Sequence, residues 1–261
     1  MRFSANLGFL LTEYALPEAI QAAADAGFDA VECHVPFETP GDVVLGALRE
    51  TGLPMIGLNT WPGDTDAGDF GLTAIPQRKD EARSAIDLAI LYAISIDCHG
   101  IHVMAGKTGG PEKAGDEADE VFCENLAYAC DLASAHNIKI LIEPINTHDV
   151  PEYHLSAPDH AAKIISEVSA PNLKMMFDCY HMARMGHDLF ETFKRYQGIV
   201  GHVQIASVPD RGEPDHGDID YSTLLPRMAQ VGYSGMVGAE YRPSGKTSER
   251  LDWLRDFARS T

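Results

Sequence analysis

Ile140-Leu141-Ile142-Glu143-Pro144-Ile145-Asn146 reads as a short buried strand that ends on a carboxylate. Lys174-Met175-Met176-Phe177-Asp178 ends the same way on Asp178, His202-Val203-Gln204-Ile205 carries Gln204, and Met236-Val237-Gly238-Ala239-Glu240 ends on Glu240. Working outward, comparable apolar runs occupy residues 3–7, 30–33, 55–59 and 100–104. The segments between them have helical period. Ala82, Ala85, Ile86, Ala89, Ile90 and Ala93 recur at that spacing, as do Val121, Phe122, Leu126, Ala129, Leu132 and Ala133. Gly27, Gly52, Asn137 and Gly232 stand where a helix would need a left-handed cap before the next strand. Eight strand-helix alternations predict an α/β fold, a (β/α)₈ barrel spanning residues 1–261 as one domain. The rival, an open doubly wound sheet, would carry a Gly-rich loop after its first strand, and Asn6-Leu7-Gly8-Phe9-Leu10 is not one.

A chain of 261 residues with 45% hydrophobic content suits one such barrel. The 39 acidic against 20 basic residues leave a formal charge of -19, which opposes extended contact with a phosphate backbone, so no nucleic-acid partner is expected. Met1-Arg2-Phe3-Ser4-Ala5-Asn6-Leu7 has no leader pattern, and no window approaches a membrane span. The expectation is a cytoplasmic protein with no membrane partner. Cys33, Cys98, Cys123, Cys130 and Cys179 form no C-x-x-C pair and read as packing residues in a reducing setting.

In such barrels chemistry sits at the carboxyl ends of the strands. Glu143, Asp178, Gln204 and Glu240 would therefore face one mouth. Three clustered carboxylates repel one another unless protons or a cation intervene, and an all-oxygen set suits a hard ion, Mg²⁺ or Mn²⁺. Zinc is less favoured, because neither cysteine nor a compact His pair accompanies them. Any one of these acids alone reads as a solvated strand end or a helix cap; four successive strands sharing the feature do not.

Arg2-Phe3-Ser4-Ala5-Asn6-Leu7, Leu141-Ile142-Glu143-Pro144-Ile145-Asn146, Phe177-Asp178-Cys179-Tyr180-His181-Met182, Gly201-His202-Val203-Gln204-Ile205-Ala206, Arg211-Gly212-Glu213-Pro214 and Val237-Gly238-Ala239-Glu240-Tyr241 carry a resemblance over nearly the whole chain. The sequence resembles the hydroxypyruvate isomerase family, within the xylose-isomerase-like barrels that also include tagatose epimerases and endonuclease IV. Similar epimerases usually have His where this chain has Gln204. The resemblance implies that Glu143, Asp178, Gln204 and Glu240 bind a divalent metal ion and that Glu143 and Glu240 form the acid/base pair. It implies that His181 and Arg211 contact substrate oxygens, with Lys107 in a similar position after the fourth strand. The implied reaction interconverts hydroxypyruvate and tartronate semialdehyde. Such a proton shift beside a carbonyl passes through an enediolate, which carboxylates and a metal can serve, while Arg211 offers a fork of donors to an anionic sugar-acid substrate.

Alternatives stay open. A 2-oxo-tetronate isomerase or a ketose 3-epimerase would use the same groups, with only pocket-wall residues such as Trp61, Phe70 and Tyr241 to separate them. A DNA-repair endonuclease would need a His-rich multi-metal cluster and a basic surface. A non-catalytic metal binder and a homo-oligomer are also compatible with the sequence. His34, His99, His102 and His202 read as core or supporting histidines, and Glu32 reads equally as a mouth residue or an ion-pair partner. Asp116-Glu117-Ala118-Asp119-Glu120 reads as a solvated helix start.

Overall fold

Eight short strands, β1 (Phe3–Asn6), β2 (Ala30–Glu32), β3 (Met55–Asn59), β4 (Gly100–His102), β5 (Lys139–Ile142), β6 (Leu173–Asp178), β7 (Val200–Ile205) and β8 (Val237–Ala239), pair in parallel in chain order, and β8 closes on β1. The computed structural model describes residues 1–259, without the side chains of 111–114 and 258–259. Closure excludes the doubly wound sheet. Most strand residues are buried, since helices cover the outside and side chains from opposing strands fill the inside.

The helices are α1 (Leu16–Ala26), α2 (Gly41–Thr51), α3 (Lys79–Ser95), α4 (Pro111–Ser134), α5 (Pro158–Val168), α6 (Cys179–Arg184), α7 (Leu189–Tyr196), α8 (Tyr221–Gln230) and α9 (Asp252–Arg259). The α3 stripe is buried throughout as expected. On α4 Phe122, Leu126, Ala129 and Ala133 are buried as expected, but Leu132 is exposed and Val121 half-buried, while Asn125 and Cys130 turn inward. Val121 and Leu132 lie together on one flank of the helix, roughly 100° around from the line of Phe122, Leu126, Ala129 and Ala133, so they fall outside the face that meets the barrel. Gly115, with non-helical backbone (φ 65°, ψ −175°), interrupts α4 before this stripe begins. Gly27, Gly52, Asn137 and Gly232 all take positive φ, as the helix-to-strand junctions required.

α9 lies over the seam between β8 and β1, where buried Trp253 meets Phe3 edge-on at 5.5 Å and donates its indole N–H to the Tyr241 hydroxyl at 3.1 Å. Tyr241 is therefore committed to the packing of this seam rather than to a pocket wall. The five cysteines are free, and four of them are buried. Among the described residues no helix is long and apolar enough to cross a membrane.

Candidate active site

The strand register brings the four oxygen-bearing side chains to one end of the barrel. Asp178 pairs with Gln204 and Gln204 with Gly238; Glu240 follows Ala239, its N–H donated to the Ile205 carbonyl at 3.1 Å. Glu143 follows β5 directly, and all four side chains are buried. Asp178 also caps α6: its Oδ1 accepts the Tyr180 N–H at 2.8 Å, which leaves Oδ2 toward the mouth.

These carboxylates differ in charge because their partners differ. Glu240 Oε1 accepts from Asn6 Nδ2 at 3.0 Å and lies 3.0 Å from His34 Nε2, while Oε2 accepts from Arg211 Nη2 at 2.6 Å. Burial would raise its pKa, but Arg211 and then His34 outweigh it and hold the carboxyl at about 2. Glu143 has no such support. Its Oε1 is buried without a hydrogen-bond partner, and His102 Nδ1 stays 3.6 Å from Oε2. Burial, then repulsion from Glu240 and Asp178, raise its pKa well above the carboxylate range. Asp178 is pushed up to about 7, again chiefly by burial, with Arg211 opposing. Two glutamates at one mouth thus favour opposite protonation states, the pattern that separates an acid from a base.

Arg211 Nη2 spans the gap between Glu240 and Asp178, reaching Asp178 Oδ2 at 3.5 Å. Its guanidinium lies between the rings of Phe9 (5.0 Å) and Tyr180 (4.9 Å), and its Nε has no partner. The loop after β7 aims it inward through a left-handed turn at Arg211 itself, φ 56°. His181 Nδ1 accepts from the Asn146 backbone N–H (3.4 Å) and lies 2.6 Å from Asn146 Nδ2. The ring proton is thereby placed on Nε2, 3.5 Å from Asp178 Oδ2 and 3.7 Å from Glu143 Oε1, so His181 presents a donor to the mouth. Burial, then Arg211, lower its pKa to about 3, which keeps the imidazole neutral. Lys107 is not brought to this group: it is exposed on the rim and donates to the Gly68 carbonyl at 2.9 Å.

Several participants were not assigned from the sequence. Asn6 ends β1 as Asp178 ends β6, so the strand-end rule extends to it. His34 and His102 read from the sequence as supporting residues, yet both approach the carboxylates; His99 is exposed. Phe9 and Tyr180 carry no local signal, because their role depends on where the Arg211 loop lands. Glu32 lies inside the barrel, where it accepts from Ser4 Oγ (3.0 Å) and Gln204 Nε2 (3.2 Å) and lies 3.0 Å from His202 Nε2. By taking the amide N–H of Gln204 it leaves Gln204 Oε1 buried without a partner. The acidic run at 116–120 is corrected at Asp119, which is half-buried and contacts two histidines and a lysine.

The group fits a divalent cation. Glu143, Asp178 and His181 offer atoms within 4.8 Å of one another, and two oxygens, Glu143 Oε1 and Gln204 Oε1, are orphaned. Of the three, His181 is the misfit as a ligand, since its Nε2 carries the proton. The oxygen donors that remain suit a hard ion.

Glu32 has room only because residue 238 is glycine. A Cβ there would lie 2.1 Å from Glu32 Oε1 and 2.9 Å from both Gln204 Cγ and His202 Nε2. Gly238→Ala should cost about 1–3 kcal/mol as an overpacked interior and lower the denaturant midpoint; an unchanged midpoint would refute the crowding.

The family described as xylose isomerase-like TIM barrel matches residues 20–257. The 2-oxo-tetronate isomerase of Cupriavidus necator is 41% identical over 261 residues, covering 98% of each chain. The hydroxypyruvate isomerase of Escherichia coli is 37% identical, covering 98% of this chain and 99% of that one. A crystal structure from Brucella melitensis, described as AP endonuclease, family 2, superposes with a TM-score of 0.93 at 38% identity, covering 98% of both chains. With full-length identity at this level and the same closed barrel, the chain belongs to the hydroxypyruvate isomerase family of xylose isomerase-like TIM barrels.

Proposed function

We propose that this chain is an isomerase that interconverts hydroxypyruvate and tartronate semialdehyde through an enediolate. The observation that carries the reading is the opposed protonation of Glu143 and Glu240 in one buried mouth beside Arg211. Glu240, ionised, takes a proton from the C3 hydroxymethyl carbon. Glu143, protonated, returns one to C2, and the hydroxyl hydrogen passes from O3 to O2, so atoms balance without an external oxidant. In the reverse direction the two exchange roles. His181 Nε2–H donates to a substrate oxygen, and the unpartnered Nε–H of Arg211 takes the substrate carboxylate. Lys107, on the rim, is proposed as an outer contact for the same anion. Glu143, Asp178, Gln204 and Glu240 would hold a divalent ion, Mg²⁺ or Mn²⁺, which when bound supplies positive charge for the developing oxyanion.

The Cupriavidus relative favours a second reading, a four-carbon 2-oxo-tetronate substrate for the same chemistry. A panel of three- and four-carbon keto acids, assayed with each divalent ion, separates the two and would exclude both if nothing turned over. A nucleic-acid substrate is disfavoured by the net charge of -19.

Glu143→Gln and Glu240→Gln should each lower kcat by about 100-fold or more while circular dichroism stays native. Near wild-type turnover in either variant would remove the two-carboxylate mechanism.

Arg211→Lys keeps the charge but not the fork, so KM for the acid should rise about tenfold or more. A neutral analogue lacking the carboxylate should hardly distinguish the variant from wild type. Unchanged KM for the acid would return Arg211 to a structural role.

Metal binding must displace the proton that a raised pKa keeps on Asp178, while Glu143 keeps the proton it delivers to C2. The sign follows from the direction: a raised carboxyl pKa keeps the proton in the folded protein, so apparent affinity should climb as pH rises toward about 7 and level off above it. Calorimetry in buffers of different ionisation enthalpy measures the released protons; pH-independent affinity would contradict the assignment.

A further inference from the structure

We propose that Asp119, His154 and His160 form a second metal site, for a borderline transition-metal ion such as Zn²⁺, on the rim of the barrel apart from the carboxylate mouth. The three ligands come from α4, from the loop between β5 and α5, and from α5. His154 Nε2 and His160 Nε2 approach the same oxygen, Asp119 Oδ1, at 3.0 and 2.8 Å, and one ligand atom from each residue lies within 4.8 Å of the others. Two imidazoles and one carboxylate suit a zinc-like ion rather than the hard ion suited to the mouth. A tetrahedral ion with bonds near 2.0–2.1 Å separates its ligand atoms by about 3.3 Å. Opening the Asp119–His contacts by a few tenths of an ångström would admit it.

Outer partners strengthen the reading. His154 Nδ1 lies 3.1 Å from Thr108 Oγ1, which can accept the ring proton when Nε2 gives its lone pair to the ion. Lys163 Nζ donates to the other Asp119 oxygen at 2.8 Å and so orients the carboxylate. His154 is wholly buried, and burial lowers its pKa to about 4, so a proton does not compete for its lone pair near neutrality. Hydrogen bonding within the triad alone is the competing explanation, and it predicts no affinity for metal.

An ion here would staple a particular piece of chain. The segment after β4 is already tied to the one after β5 through Thr108 and Gly110 N–H to Glu152 O and through His154 N–H to Gly106 O. Lys107 sits within this pair. Three protein ligands leave a fourth position for water, and because they come from three separate segments the ion's first effect would be to hold the Lys107 loop to α4 and α5.

The test uses the whole, metal-stripped protein with excess Mg²⁺ present to fill the carboxylate mouth. Co²⁺ titration should produce the strong visible absorption of a four-coordinate, nitrogen-containing site at one equivalent. Zn²⁺ should abolish that band and raise the melting temperature. His160→Ala and Asp119→Asn should each lose more than about tenfold in Zn²⁺ affinity, and the metal-free melting curve of each variant confirms that it folds. His160→Gln, closer in size, serves if His160→Ala does not fold. Absence of the band, or Zn²⁺ affinity undiminished in the folded variants, overturns the proposal. Neither readout involves isomerase turnover, so the outcome is independent of the function proposed above.

Discussion

Three carboxylates buried at one end of a closed barrel are the constraint around which this molecule is arranged. Taking a carboxylate out of water is costly, and the barrel holds Glu143, Asp178 and Glu240 at single-digit exposure. Two means of relief are visible. A guanidinium is brought between Asp178 and Glu240, and protonation is favoured at Glu143 and Asp178, where burial outweighs what Arg211 supplies. The difference between Glu240 and Glu143 is therefore a matter of access to Arg211, His34 and Asn6, not of residue type. Chemical asymmetry arises from geometry alone.

That arrangement asks for rigid support. Arg211 is held in a left-handed turn between two aromatic rings, so its charge cannot wander to the surface of an already acidic protein. Beneath the mouth, Glu32, Ser4, His202 and Gln204 form a polar knot inside the barrel. Burying polar atoms there is tolerable because they satisfy one another, and Gly238 supplies the space. The knot also determines which end of the Gln204 amide is left free. A donor end turned to the mouth would repel a cation; the acceptor end that is left unpaired would attract one.

The net charge of -19 sits uneasily with a small anionic substrate until the charges are placed. Long-range potential favours cations at the mouth, and only a local, preorganised cation such as Arg211, together with any bound metal, can reverse that sign over a few ångströms. The same acidic field favours cation capture on the rim at Asp119.

Much of this was legible in the sequence. The eight strand runs, the left-handed positions at Gly27, Gly52, Asn137 and Gly232, and the ends of β5, β6, β7 and β8 follow from local rules: apolar period, cap chemistry and the polarity of a strand's last residue. Those rules depend on neighbours within a few positions, which a single chain displays directly. What tertiary structure alone decided is everything that needs two distant segments to meet. Leu132 has the period of the α4 stripe but stands on its exposed flank, Asp119 reads as surface in the sequence yet meets His154 and His160 in the fold, and Tyr241 packs on Trp253. Whether Glu143 or Glu240 carries the proton could not be read from either strand, because both end on the same residue type. Protonation is set by the charges within a few ångströms in a low-dielectric pocket, and Arg211, His34 and Asn6 reach Glu240 only because the barrel closes.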